Sequence, residues 1–287
     1  CFSRVQTPWG IRKLDEHGSW RLRPLRRQLH AHRRTSGGGN PWGFAFGNWG
    51  EPFIKSNGTG VSELLPGMVS SEQIIGGYWG GTVQIGATKI KSMIIEIVDT
   101  PVLPKDFQGD FLIAGYYARN IARLRPSVNG AGHKLQTLAP ILTSTHNAFR
   151  PVDLNTGPDG ALYVADWFNP IIGHYQASLR HPDRDKKHGR IWRIANGQPL
   201  LKPPALAKMN AAQLCEQLAV PLRRTRQLAK LRLMDLPKAE AIAATQQWVD
   251  SLKPNDPKLE AKLFEAIGVF ESHEVVNRPL LERLLAA

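Results

Sequence analysis

Near residue 200 the chain changes its hydrophobic period. Before that point glycine is frequent and helical spacing is hard to find. A unit of apolar strand, Gly or Asp-Gly turn and apolar strand recurs instead. Beyond about Met209 the apolar residues return at helical spacing. One period cannot serve both patterns, so the chain must build strands and helices in different stretches. The Pro-rich run 196–208 (NGQPLLKPPALAK) predicts a linker between them.

In the first stretch, Trp42 to Lys55 alternates about Gly47-Asn48-Trp49-Gly50 and predicts a hairpin. Lys91 to Thr100 is β-rich, and Asp110–Tyr117 with Ala118–Arg125 predicts two strands joined by a tight turn. Phe149 to Asp166 predicts a strand, a Pro-Asp-Gly turn and a second strand, with Asp159-Gly160 supplying positive φ. Gly189 to Ala195 predicts one more strand, and the basic run 21–34 (RLRPLRRQLHAHRR) reads as a short amphipathic connector. Short strands at regular turn spacing indicate a mainly β fold, and strand–PDG–strand is the inner hairpin of many propeller blades. The expectation is therefore a partial β-propeller over 1–195, its C-terminal blades, and the start of an α-helical HEAT-like solenoid over 209–287. Signals for about three or four blades, where closed rings have about 4–8, predict a fragment whose other blades precede Cys1. In the helical stretch Asn210 predicts an N-cap, and Ala239–Leu252, Lys258–Phe270 and a start at Pro279 follow.

Composition narrows the class. Apolar residues at 42% and charged residues at 21% fit an ordinary globular chain. No apolar run approaches the ~20 residues of a membrane span. Cys1 and Cys215 are the only cysteines, which excludes a disulfide framework, a zinc cluster and a CxxCH site for covalent haem. The formal charge is +13, and residues 1–36 carry nine Lys or Arg against Asp15 and Glu16. Nucleic acid is the weaker reading of that charge. A solvated face, or attraction to anionic polysaccharide or a membrane surface, fits better.

Polar functionality is densest from Asp166 to Arg193. Asp166 ends a strand, where its carboxylate could meet a cation or a sugar hydroxyl, and Asn169-Pro170 then turns the chain. His174, in an apolar and aromatic setting, is a candidate general base or a hydrogen-bonded structural residue. His146, before the Phe149 strand, is a second candidate base. Arg184 and Arg190 are candidates to pair with an anionic cofactor or a substrate carboxylate; an Arg–Asp pair pinning the loop is the structural reading. Asp153, Asn155 and Asp159 offer oxygen ligands for Ca²⁺, although Val164 stands where a calcium loop has its glutamate; turn stabilisation is the plainer role. Trp42, Trp49, Trp79 and Tyr78 could stack on sugars or fill the core.

The stretch Arg150 to Ile194, RPVDLNTGPDGALYVADWFNPIIGHYQASLRHPDRDKKHGRIWRI, resembles the propeller end of the planctomycete-type membrane-bound dehydrogenase, haem-binding-domain family. That propeller is similar to the glucose/sorbosone dehydrogenases. The resemblance implies a periplasmic or secreted protein that oxidises a sugar or related alcohol. Electrons would pass to a quinone, with pyrroloquinoline quinone and Ca²⁺ as the implied groups, or to a separate cytochrome c domain. The rival reading is a non-catalytic module that binds polysaccharide or protein.

Overall fold

Alternating apolar residues and Gly-centred turns fold the chain up to Ile194 into antiparallel strands. The computed structural model describes residues 3–7, 10–14, 18–34, 41–56, 58–64, 82–173 and 180–286. Strands β1 (Ser3–Thr7) and β2 (Gly10–Leu14) pair, as do β3 (Gly18–Arg23) and β4 (Gln28–Arg34). The basic run read as a connector is thus largely the β3–β4 hairpin. Strands β5 (Pro41–Phe46), β6 (Pro52–Ser56), β7 (Gly60–Leu64) and β8 (Thr82–Ala87) form one sheet in chain order. A second sheet holds β9 (Met93–Ile97), β10 (Phe111–Gly115), β11 (Asn120–Asn129) and β12 (Gly132–Thr143). A third holds β13 (Pro151–Thr156), β14 (Leu162–Asp166) and β15 (Arg190–Ile194).

The molecule divides into two compact units. One comprises Cys1–Val98, Phe107–Asn155 and Leu162–Ile194; the other comprises Asp99–Asp106, Thr156–Ala161 and Ala195–Ala287. In the first unit the two four-stranded sheets share a core of Phe53, Val61, Ile85, Ile97, Phe111 and Leu124. Phe53 and Phe111 meet edge to face at 4.8 Å. Glu63 of β7 accepts from the His133 backbone N–H at 3.0 Å and from His133 Nδ1–H at 2.9 Å, which ties the sheets together. Gly43 has a steric reason: a Cβ there would lie 2.6 Å from the Ile94 Cα, where β9 bulges with φ +48°. Lys55 of β6 is fully buried and donates its Nζ to the Gly58 carbonyl.

The expected mainly β fold, a partial propeller followed by a HEAT-like region, is corrected by this arrangement. Three open antiparallel sheets of three or four strands accompany five helices, at 28% helix and 31% strand, with no closed barrel or propeller among the described residues. The physical reason is locality. A Gly-Asn-Trp-Gly or Gly-Pro-Asp-Gly turn dictates a hairpin, but ring closure depends on how separate sheets meet, and no turn residue carries that information.

The second unit is built on α1 (Ala211–Glu216), α2 (Arg223–Asp235), α3 (Lys238–Ser251), α4 (Leu259–Ser272) and α5 (Arg278–Leu285). Asn210 and Gln213 form a reciprocal capping box at the start of α1. Leu214, Leu218, Leu233, Trp248, Leu263 and Phe270 share one core. The Gly157–Ala161 turn belongs to this unit. Only Gly160 adopts positive φ there (+81°), while Asp159 Oδ1 accepts from the Ala161 N–H. A Cβ on Gly160 would lie 2.6 Å from Val102 Cγ2, and Thr100 Oγ1 donates to the Gly160 carbonyl at 2.7 Å. No described helix is long and apolar enough to cross a membrane.

Candidate functional site

The corner where β14 and β15 meet the loops at 146–150 and 167–173 concentrates buried polar groups beneath exposed aromatic ones. Asp166 ends β14 and is buried. Its Oδ1 accepts from the backbone N–H groups of Arg150 at 2.8 Å and Phe168 at 2.9 Å. Its Oδ2 accepts from the Trp192 indole at 3.0 Å. Three donors on one carboxylate make Asp166 a fixing post for the loop, with its oxygens committed inward.

Arg150 completes the clamp. Its Nε donates to the Asn169 carbonyl at 3.0 Å, Nη1 to the Tyr116 carbonyl at 3.2 Å, and Nη2 to the Pro170 carbonyl at 3.3 Å. Burial, reinforced by the neighbouring Arg119 charge, lowers the Arg150 pKa from its usual value. Asn169, also buried, accepts from the Ile171 N–H at 3.1 Å and donates to the Asp185 carbonyl at 3.1 Å.

The clamp holds Phe168 at φ +51°. For a bulky side chain this left-handed backbone is strained, and such strain persists where surrounding bonds over-determine it. The ring it presents is a platform. His146 stacks on it at 5.5 Å with an interplanar angle of 29°. Arg190 places its guanidinium carbon 3.5 Å from the ring centroid. His188 approaches edge-on at 6.3 Å. Trp167 and Trp192, each 42% exposed, extend the aromatic surface.

The two imidazoles differ in tautomer. His146 Nδ1 accepts from the Ala148 N–H at 3.2 Å, so the neutral ring carries its proton on Nε2 and presents a donor. His188 is the reverse. Its Nδ1–H donates to Asp185 Oδ2 at 2.8 Å, which leaves the Nε2 lone pair free to accept. Asp185 Oδ1 also takes the N–H groups of Lys187 and His188, both at 2.9 Å. Those bonds, led by the Lys187 N–H and then His188, hold the Asp185 pKa down at about 2.

The structure thus brings together Asp166, Asn169, Arg190 and His146 of the expected site residues, and gives the first two a positioning role. Arg184 lies on the same loop, its backbone N–H on the His181 carbonyl at 3.1 Å. Trp42 sits on β5, with Lys91 Nζ 4.8 Å above its ring. His174, Tyr78 and Trp79 lie outside the described residues. Phe168, His188, Trp192 and Arg150 were missed as site residues. The Asp185–His188 spacing of three was the legible signal for one of them; nothing local marks Phe168.

The implied Ca²⁺ and quinone meet a plain test in the donors. Asp153 Oδ1 and Oδ2 are engaged by the Leu154 N–H and the Asn155 amide, and Asp159 by its turn. No group of three or more His, Cys, Asp or Glu among the described residues could hold a metal ion. Asp166 and Asn169 face inward onto protein donors and acceptors. The Ca²⁺ candidates Asp153 and Asp159 are thus engaged within their own turns.

Comparison with known proteins adds a boundary rather than an activity. A family model described as a domain of unknown function (DUF7133) matches residues 82–198, which include this corner. No curated protein matches the chain, and no solved structure does.

Proposed function

We propose that the corner formed by 146–150, 166–170 and 185–192 is a saccharide-binding face and that the chain acts as a recognition module. The observation that carries this reading is the Phe168 platform, a strained, half-buried ring held by the buried Arg150–Asp166 clamp, which carries His146 and Arg190 beside the exposed Trp167 and Trp192. Flat aromatic surface beside fixed polar groups is the chemistry that recognises a sugar ring. Trp167 and Trp192 supply apolar faces for its C–H bonds, and Phe168 holds Arg190 and His146 beside them. His146 Nε2–H offers a donor and His188 Nε2 an acceptor for its hydroxyls. The test is titration of the purified chain with an oligosaccharide panel, followed by tryptophan fluorescence. Saturable quenching that is lost in Trp192→Ala and Phe168→Ala supports the reading. No saturable signal from any saccharide overturns it.

A second reading is favoured by the Asp185–His188 bond. A carboxylate that fixes an imidazole with a free Nε2 is the arrangement of an oriented general base. In a dehydrogenase-like protein His188 would take the hydroxyl proton of a sugar or alcohol while a supplied quinone would accept the hydride from the carbon bearing that hydroxyl. Dye-linked oxidation of the same panel, with pyrroloquinoline quinone and Ca²⁺ supplied, decides this. Turnover abolished by His188→Ala would favour catalysis; binding without turnover favours recognition.

A further inference from the structure

Arg190 is the one cation of this corner whose geometry is fixed while its charge is left unanswered. A guanidinium carbon 3.5 Å above a ring centroid forces the group to lie nearly flat. With C–N bonds of about 1.3 Å, a steep tilt would drive a nitrogen into the ring. A flat guanidinium keeps its N–H donors in its own plane, directed outward past the edge of Phe168. No ion pair to Arg190 occurs among the described residues. The reason lies in its neighbours. Asp166 is its register partner across β14 and β15, yet both Asp166 oxygens are taken by Arg150, Phe168 and Trp192. Asp185 is committed to Lys187 and His188.

The surroundings add to the excess. From Arg180 to Arg193 there are six Lys or Arg (Arg180, Arg184, Lys186, Lys187, Arg190, Arg193) against Asp183 and Asp185, a net of +4. A planar fork of donors, stacked and pre-oriented, matches a planar group with two acceptor oxygens.

We propose that Arg190 selects saccharides bearing a carboxylate, so that the ligand of this face contains a uronic acid. This rests on the saccharide-binding reading and deepens it. The sugar ring lies along Trp192, its carboxylate bridges the Arg190 fork that Phe168 holds, and a hydroxyl reaches His188 Nε2. The stack, rather than diffuse charge, gives the selectivity.

The test compares an oligogalacturonate with its methyl ester of equal length, by calorimetric titration of the full chain. The ester keeps the sugar ring and hydroxyls, loses the charge and adds one methyl group. The expected result is at least about tenfold tighter binding of the acid, a preference that disappears in Arg190→Gln and only partly survives in Arg190→Lys. Far-ultraviolet dichroism and the urea midpoint of both variants match the wild type, which reports that they fold. Equal affinity for acid and ester overturns the inference and leaves the saccharide reading standing. A preference for the acid that persists in Arg190→Gln and fades with salt overturns the role of Arg190 in favour of diffuse charge. Binding of neither probe overturns the inference, and failure across the neutral panel as well overturns the reading beneath it.

Discussion

The helical unit and the β14–β15 corner treat their arginines in opposite ways. In the helical unit Arg226 bonds Asp99 at 2.6 Å and Glu265 at 2.8 Å, Arg223 reaches Asp99 at 3.2 Å, and Lys230 pairs with Glu265. Charges answer charges, and the network braces the end of α2 and the middle of α4. In the corner Arg150 donates to backbone carbonyls within reach of the Asp166 charge, and Arg190 lies on an aromatic ring with no ion pair among the described residues. A cation that is paired is explained by the fold. One that is oriented but unpaired, over a residue held in strained backbone, is the feature on which the proposed ligand rests.

Four substitutions sharpen that contrast. Leu263→Ala should open a cavity in the helical core and cost about 2–5 kcal/mol, measured as a urea midpoint shift, with saccharide binding unchanged. Asp166→Ala should cost about 2–4 kcal/mol because three buried donors lose their acceptor. It should also release Phe168, seen as loss of near-ultraviolet dichroism and of binding together. If Asp166→Ala binds as the wild type does, the clamp does not position the platform.

Lys55→Met should stabilise the sheet unit by about 1–3 kcal/mol at pH 7. Burial, reinforced by Lys91, pushes the Lys55 pKa from 10.5 down to about 8. A base whose folded pKa lies below its unfolded value loses stability as pH falls through the folded value. The advantage of Lys55→Met should therefore be full below about pH 8 and shrink as pH rises toward 10.5. Paired urea titrations at pH 7 and pH 10 read the difference. The smallest stability effect belongs to Phe168→Gly, within about 1 kcal/mol, because relief of the left-handed backbone offsets lost packing. Its saccharide affinity should still fall at least about tenfold.

Much of the element map was legible. The hairpin about Gly47–Gly50, the β10–β11 pair and the β13–β14 turn all follow from turn residues and alternation, and helices α3 to α5 follow from apolar spacing. The β3–β4 hairpin was not, because its Arg-rich strands lack the alternation that marks a buried face. The architecture was not legible either, since sheets meet through contacts such as Phe53 with Phe111 and Gly43 with Ile94, far apart in sequence. At the site, Asp166, Asn169, Arg190 and His146 stood out as polar residues at element ends. Their roles did not, because whether a carboxylate is spent on N–H donors is a three-dimensional fact.

Hydrogen exchange with and without saturating oligogalacturonate tests the central claim most directly. Protection confined to 166–170 and 184–193, with the helices unchanged, is the predicted result. Protection elsewhere in the chain, with none in those segments, would contradict a binding face built on Phe168.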